Sequence, residues 1–159
     1  MKTTRIHKLI VALVLGVLVS VIAVTAIAAV RRPHIAPPSF SPSDIWHEGV
    51  AAVDSALAAN DLTGASVAWQ RAYVAALQDR GHWEGLIEVA DARLRIGRQD
   101  RLEGMATARA RELYLAALFR ARQHSSAQGV LRAGAAFEAL GDREVAAQAD
   151  RIAAKLSVR

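Results

Sequence analysis

The side chains able to do chemistry are scattered through this 159-residue chain. Its five histidines are His7, His34, His47, His82 and His124. None stands at metal-ligand spacing from another, and no H-E-x-x-H occurs. There is no G-x-S-x-G elbow and no Gly-rich phosphate loop. Cysteine is absent, which removes thiolate chemistry, disulfides and lipidated cysteine. The three tryptophans fall on apolar stripes, where they read as core. No catalytic, cofactor-binding or metal-ligating residue is therefore expected, and the chain reads as non-enzymatic.

What the pattern offers instead is charge. Between Arg93 and Arg122 there are eight arginines against Asp100, Glu103 and Glu112. Arg109, Arg111, Arg120 and Arg122 form a candidate basic docking surface for an acidic partner or lipid headgroups; the plain alternative is a set of solvated helix faces. Between Asp44 and Asp61 the sign reverses, with four acids and no Lys or Arg. The formal net charge of +5 is carried by Lys2, Arg5, Lys8, Arg31 and Arg32, and from Ser41 onward 15 basic and 15 acidic residues cancel. A nucleic-acid-binding domain needs a basic footprint, so nucleic acid is not an expected partner.

The first 42 residues set the expected placement. Residues 1–8 are a basic flank, and Leu9 to Val30 carries no charge. As a helix that run spans roughly 33 Å, enough for a hydrocarbon core of about 30 Å. Its length, and the two arginines that close it, favour a retained transmembrane helix in the lipid bilayer. The rival is a cleaved signal with Ala26, Ile27 and Ala28 at the cut. The surplus of positive charge before the run places the N-terminus in the cytoplasm. The expected location is a bacterial inner membrane, with the C-terminal domain in the periplasm. Ala12, Gly16 and Ser20, four apart, are the candidate face for packing against another membrane helix. Residues 31–42 hold all four prolines, at 33, 37, 38 and 42, and read as a semi-rigid spacer.

Residues 43–159 show helical periodicity and no sustained strand alternation. Ser41, Pro42 and Asp44 open a first helix with the stripe Trp46, Gly49, Val50, Val53 and Leu57. A second, from about Gly64 to Arg80, carries Ala65, Ala68, Trp69, Ala72, Tyr73 and Ala76. A third, from about His82, ends at Gly97. Asp100 and Glu103 have capping-box spacing and open a longer fourth helix to about Gln123. The fifth carries Val130, Gly134 and Phe137. The sixth, capped by Asp142, carries Val145, Ala149, Ile152 and Leu156.

Odd-numbered helices repeat. Trp46, Val53, Asp54 and Leu57 map onto Trp83, Ala90, Asp91 and Leu94 at one shift, and Gly97 maps onto Gly141 at a longer one, the difference being assigned to the fourth helix. Two-helix units at such periods indicate stacked helical hairpins.

From Leu131 to Leu156 the chain resembles a tetratricopeptide repeat. Gly134 stands at the close helix crossing, Phe137 at the aromatic position, Gly141 and Asp142 at the turn, and Ala146 and Ala153 at the small positions. The hairpin from Ile45 to Leu77 is similar, with Asp61 and Leu62 at the turn, Ala65 and Ala72 at the small positions and Trp69 between them. The middle hairpin departs, with Arg109 where a small residue is expected. The expected fold class is thus all-α: one transmembrane helix plus a small α-solenoid of about three tetratricopeptide-like hairpins.

The resemblance implies a protein-binding groove lined by the first helix of each hairpin. Here that groove would hold His47, Asp54, Glu84, Glu88, Asp91, Arg95, Gln128, Arg132 and Glu138. Val50 and Asp54 replace the basic and asparagine pattern that clamps C-terminal carboxylates in chaperone-binding relatives, which argues against that ligand class. The expected function is a non-catalytic, membrane-anchored interaction or scaffold protein, an accessory or assembly subunit of a larger membrane complex. The alternative is an envelope factor that captures peptide clients. No cofactor is expected.

Overall fold

A computed structural model of the chain describes residues 41–158. Six helices follow in order: α1 (Pro42–Ala58), α2 (Leu62–Gln78), α3 (Glu84–Gln99), α4 (Glu103–Gln123), α5 (Ala127–Ala139) and α6 (Arg143–Ser157). No strand occurs among the described residues. The expected all-α class is correct for this part and is corrected in one respect. Among the described residues no helix is long and apolar enough to cross a membrane. The longest, α4 with 21 residues, carries six charged side chains from Glu103 to Arg122, each costing about 2.5–3.5 kcal/mol at mid-bilayer if Arg. The stretch on which the membrane expectation rests, Leu9–Val30, lies outside the described residues.

The helix starts follow their local chemistry. At α1 the Ser41 hydroxyl accepts from the Asp44 amide (3.2 Å), and the Asp44 carboxylate accepts from the Ser41 amide (3.1 Å). Pro42 fills the first helical position, where no amide donor is needed. Asp61 caps α2 and Ser126 caps α5, each through the amide three residues on. The expected Asp100 cap is not formed. Arg101 adopts φ 60°, Asp100 accepts from the Leu102 amide instead (2.8 Å), and α4 begins at Glu103. Asp142 makes no side-chain cap either, because its carboxylate is taken by Arg111.

The helices pair as antiparallel hairpins, α1 with α2, α3 with α4 and α5 with α6, and α1 and α3 also pack on each other. One left-handed residue stands at each hairpin tip: Asn60, Arg101 and Gly141. Arg101, not Gly97, is therefore the counterpart of Gly141. Gly97 does not end α3, which runs on to Gln99; it is buried there because a methyl at its Cα would collide with the Ala106 methyl. Relative to its tryptophan, α3 runs one turn farther than α1, so part of the change in repeat spacing lies in α3 rather than in α4.

The core is built largely of alanine, which lets the helices approach closely. Ala65, Ala72, Ala106, Ala110, Ala117, Ala121, Ala133 and Ala149 are fully buried. Tryptophan bridges successive hairpins. A methyl built on Gly85 would lie 2.9 Å from the Trp46 ring, and one on Gly129 would lie 2.6 Å from the Trp83 ring. Each ring thus sits on the glycine of the next hairpin's first helix. Within the last hairpin a methyl on Gly134 would lie 2.8 Å from the Ala149 methyl. Gly134→Leu is expected to destabilise by about 1–3 kcal/mol through overpacking, read as a fall in thermal midpoint; an unchanged midpoint would mean that α5 and α6 do not cross there.

Candidate functional site

The first helices of the hairpins carry the nine groove residues, and the structure joins some of them. Arg95 on α3 donates to Asp54 on α1 at 2.8 Å, and His47 on α1 lies 3.8 Å from Glu88 on α3. These pairs follow from the packing of α1 on α3: positions 47 and 54, and positions 88 and 95, are each two turns apart, so they share a face. The His47 ring stacks on Trp46 at 3.6 Å. Asp91 accepts from the Tyr114 hydroxyl; burial, and then that bond, push the phenol well above its ordinary range. Glu84 stands at the first turn of α3, and its Oε2 is buried without a hydrogen-bond partner among the described residues. Gln128, Arg132 and Glu138 are exposed on α5, and among the described residues no hydrogen bond or ion pair ties them to α1 or α3.

The four arginines of the basic strip are engaged differently. Arg109 pairs with Glu112 and lies over the Tyr73 ring, 4.7 Å from its centre. Arg111 holds Asp142 with two bonds, of 2.6 and 3.2 Å, tying α4 to the start of α6. Arg120 turns inward and donates to the carbonyls of Ala76, Asp79 and His82 at 3.0, 2.6 and 2.9 Å. Arg122 is exposed. Ala12, Gly16 and Ser20 lie outside the described residues. Among the described residues no group of three His, Asp or Glu comes together to hold a metal ion.

Nothing in the residue order announces the cluster that Arg120 joins. Asp79, 9 % exposed, follows α2 and receives Trp46 Nε1 at 3.3 Å and His82 Nδ1 at 2.8 Å. His124 Nε2 donates to the Arg80 carbonyl at 3.1 Å. The α2–α3 connection is thus held from α1 by Trp46 and from α4 by Arg120 and His124. The one sequence signal is the i, i+3 spacing of Asp79 and His82, which points to a local turn and to nothing longer-range.

The cluster gives stability a pH dependence. The hydrogen bond to Asp79, and then its charge, raise the His82 imidazole above 6.5. Burial pushes the Asp79 carboxyl up, but bonds from His82 and Trp46 and the charges of His82 and Arg120 outweigh it and leave it below 3.8. The histidine contribution is full below pH 6.5 and is lost as pH rises through the raised value. The aspartate contribution is full above pH 3.8 and is lost as pH falls through the lowered value. The thermal midpoint should therefore decline from its acid-side plateau as pH rises above 6.5 and through the raised histidine value. His82→Gln should flatten that decline and also weaken the acid limb, since the His82 bond and charge help to hold Asp79 low; an unaltered decline would assign it to another group.

No family model, no curated protein and no solved structure matches the chain.

Proposed function

We propose that residues 41–158 form a non-catalytic protein-interaction module, an accessory or assembly subunit of a larger protein complex, whose binding face is the joint surface of α1, α3 and α5. The observation that supports it most is the pairing of Asp54 with Arg95 and His47 with Glu88 across α1 and α3. Two first helices thereby present one continuous polar face, as stacked hairpins of tetratricopeptide type use for protein ligands. Arg132 and Glu138 would extend that face onto α5.

The test is native purification of the chain from its own cells. A partner retained at fixed stoichiometry, and lost from Glu88→Lys and from Arg132→Glu variants of unchanged thermal midpoint, is the expected result. A lone monomer overturns the subunit reading. Many partners in small amounts would favour the alternative, a receptor for peptide clients. Retention of the same partner by both variants would move the binding face elsewhere.

A further inference from the structure

The seating of tryptophan on glycine ends at both ends of the stack. At the position of Gly85 and Gly129 the first hairpin has Glu48, and at the position of Trp46 and Trp83 the third has Ala127. The outer side of the third hairpin is polar, with Glu144, Gln148, Arg151 and Lys155 exposed on α6. The outer side of the first hairpin is mixed: Ile45 of α1 and Val67, Val74 and Ala75 of α2, with Gln70, Arg71 and Gln78 beside them, line an open groove of about 500 Å³. Val67 is 60 % and Val74 43 % exposed.

The groove's walls come from α1 and α2 alone. By helical spacing it turns away from Trp69 and Tyr73, which meet α3 and α4 through the Val89 carbonyl and the Arg109 guanidinium. Solenoid ends require a polar cap for solubility, whereas this end of the described residues exposes Val67 and Val74 alongside Gln70 and Gln78. Two charges of opposite sign flank them. Arg71 stands in the groove wall, and Glu48 lies one turn beyond Ile45 on the same side of α1. Both are exposed, and among the described residues neither takes part in an ion pair.

We propose that this face pairs with the same face of a second copy of this chain. An apolar centre flanked by one acid and one base is complementary to itself. A twofold axis through the groove brings Glu48 to Arg71 of the partner subunit, and Arg71 to Glu48 of the partner subunit, while covering the valines. Head-to-tail stacking lacks its seat, since the third hairpin has no tryptophan to send forward and the first has no glycine to receive one. The surface is distinct from the α1, α3 and α5 face proposed for other proteins, so either can fail alone.

Sedimentation equilibrium of the full chain in mild detergent tests this. The expected result is a monomer–dimer equilibrium. Glu48→Arg and Arg71→Glu should each weaken it by about tenfold or more, because each substitution acts twice across the axis and juxtaposes like charges. The double variant E48R/R71E should restore the wild-type constant. Val74→Asp should abolish the dimer while leaving the helical circular dichroism unchanged. A monomer up to millimolar concentration overturns the proposal. So does a dimer indifferent to these substitutions, or one that the double variant fails to restore. Binding of a different protein to this groove, blocked by Val74→Asp in a chain that stays monomeric, would assign the face to that partner instead.

Discussion

Trp46→Ala is expected to lower the stability of the helical domain by about 3–5 kcal/mol, the usual cost of removing a buried tryptophan. The ring is 3 % exposed, spans the junction of the first two hairpins and donates to Asp79. Its loss leaves a void over Gly85 and removes one of two side-chain bonds to a buried carboxylate. The specific prediction concerns the partner position. Gly85→Ala alone should cost about 1–3 kcal/mol, because the new methyl meets the Trp46 ring at 2.9 Å. In the Trp46→Ala background the same change should be stabilising, since the methyl enters the void and alanine is favoured over glycine in a helix by about 1 kcal/mol. A double-mutant cycle by denaturant unfolding reads the coupling. Additive effects would mean that the ring does not sit on that glycine.

Arg120→Met should cost roughly 2–3 kcal/mol. From α4 the Arg120 side chain reaches the C-terminal end of α2, where the last carbonyls have no intrahelical donor and the helix dipole is negative. Its guanidinium serves the Ala76, Asp79 and His82 carbonyls at once, and it balances the Asp79 carboxylate. Arg120→Lys should recover part of the loss, since one terminal nitrogen, Nη1, meets all three carbonyls and an ammonium can take its place, while the longer Nη2 bond to the Leu77 carbonyl (3.4 Å) is lost. Arg122→Met, on the exposed side of the same helix, should change stability by less than about 0.5 kcal/mol. Thermal denaturation of the three variants decides; equal effects at 120 and 122 would return Arg120 to the surface.

That contrast bears on any use of the arginine strip. By residue type, Arg109, Arg111, Arg120 and Arg122 are equivalent, and all four suit a docking surface. In the fold, Arg120 closes a helix end and Arg111 fastens α6, so reversing all four charges would perturb folding as well as docking. Substitution of Arg122 alone leaves the internal bonds in place and is the cleaner probe of an acidic partner.

For the described residues, the amino-acid sequence by itself determined the all-helical class, the six helices and their approximate bounds. It did so because each helix carries its own 3.6-residue stripe and several carry their own caps, and both are local properties. It also exposed the hairpin repeat, because Trp46 and Trp83 stand at matching places in α1 and α3. It could not say why those tryptophans are there. Their counterparts are glycines, whose role is to be absent where a ring must pass, and only the packed hairpins show which ring meets which glycine. Gly97 makes the same point: as a sequence signal it reads as a helix stop, whereas the close approach of Ala106 makes it an interior contact. The pairing of charges was hidden for a related reason. Asp54 with Arg95, Arg111 with Asp142 and Arg120 with Ala76 and Asp79 at the end of α2 are 31 to 44 residues apart, and residues so separated meet only once the hairpins stack. Local periodicity fixes the elements; which faces they bury, and which charges remain for a partner, is decided by how they pack.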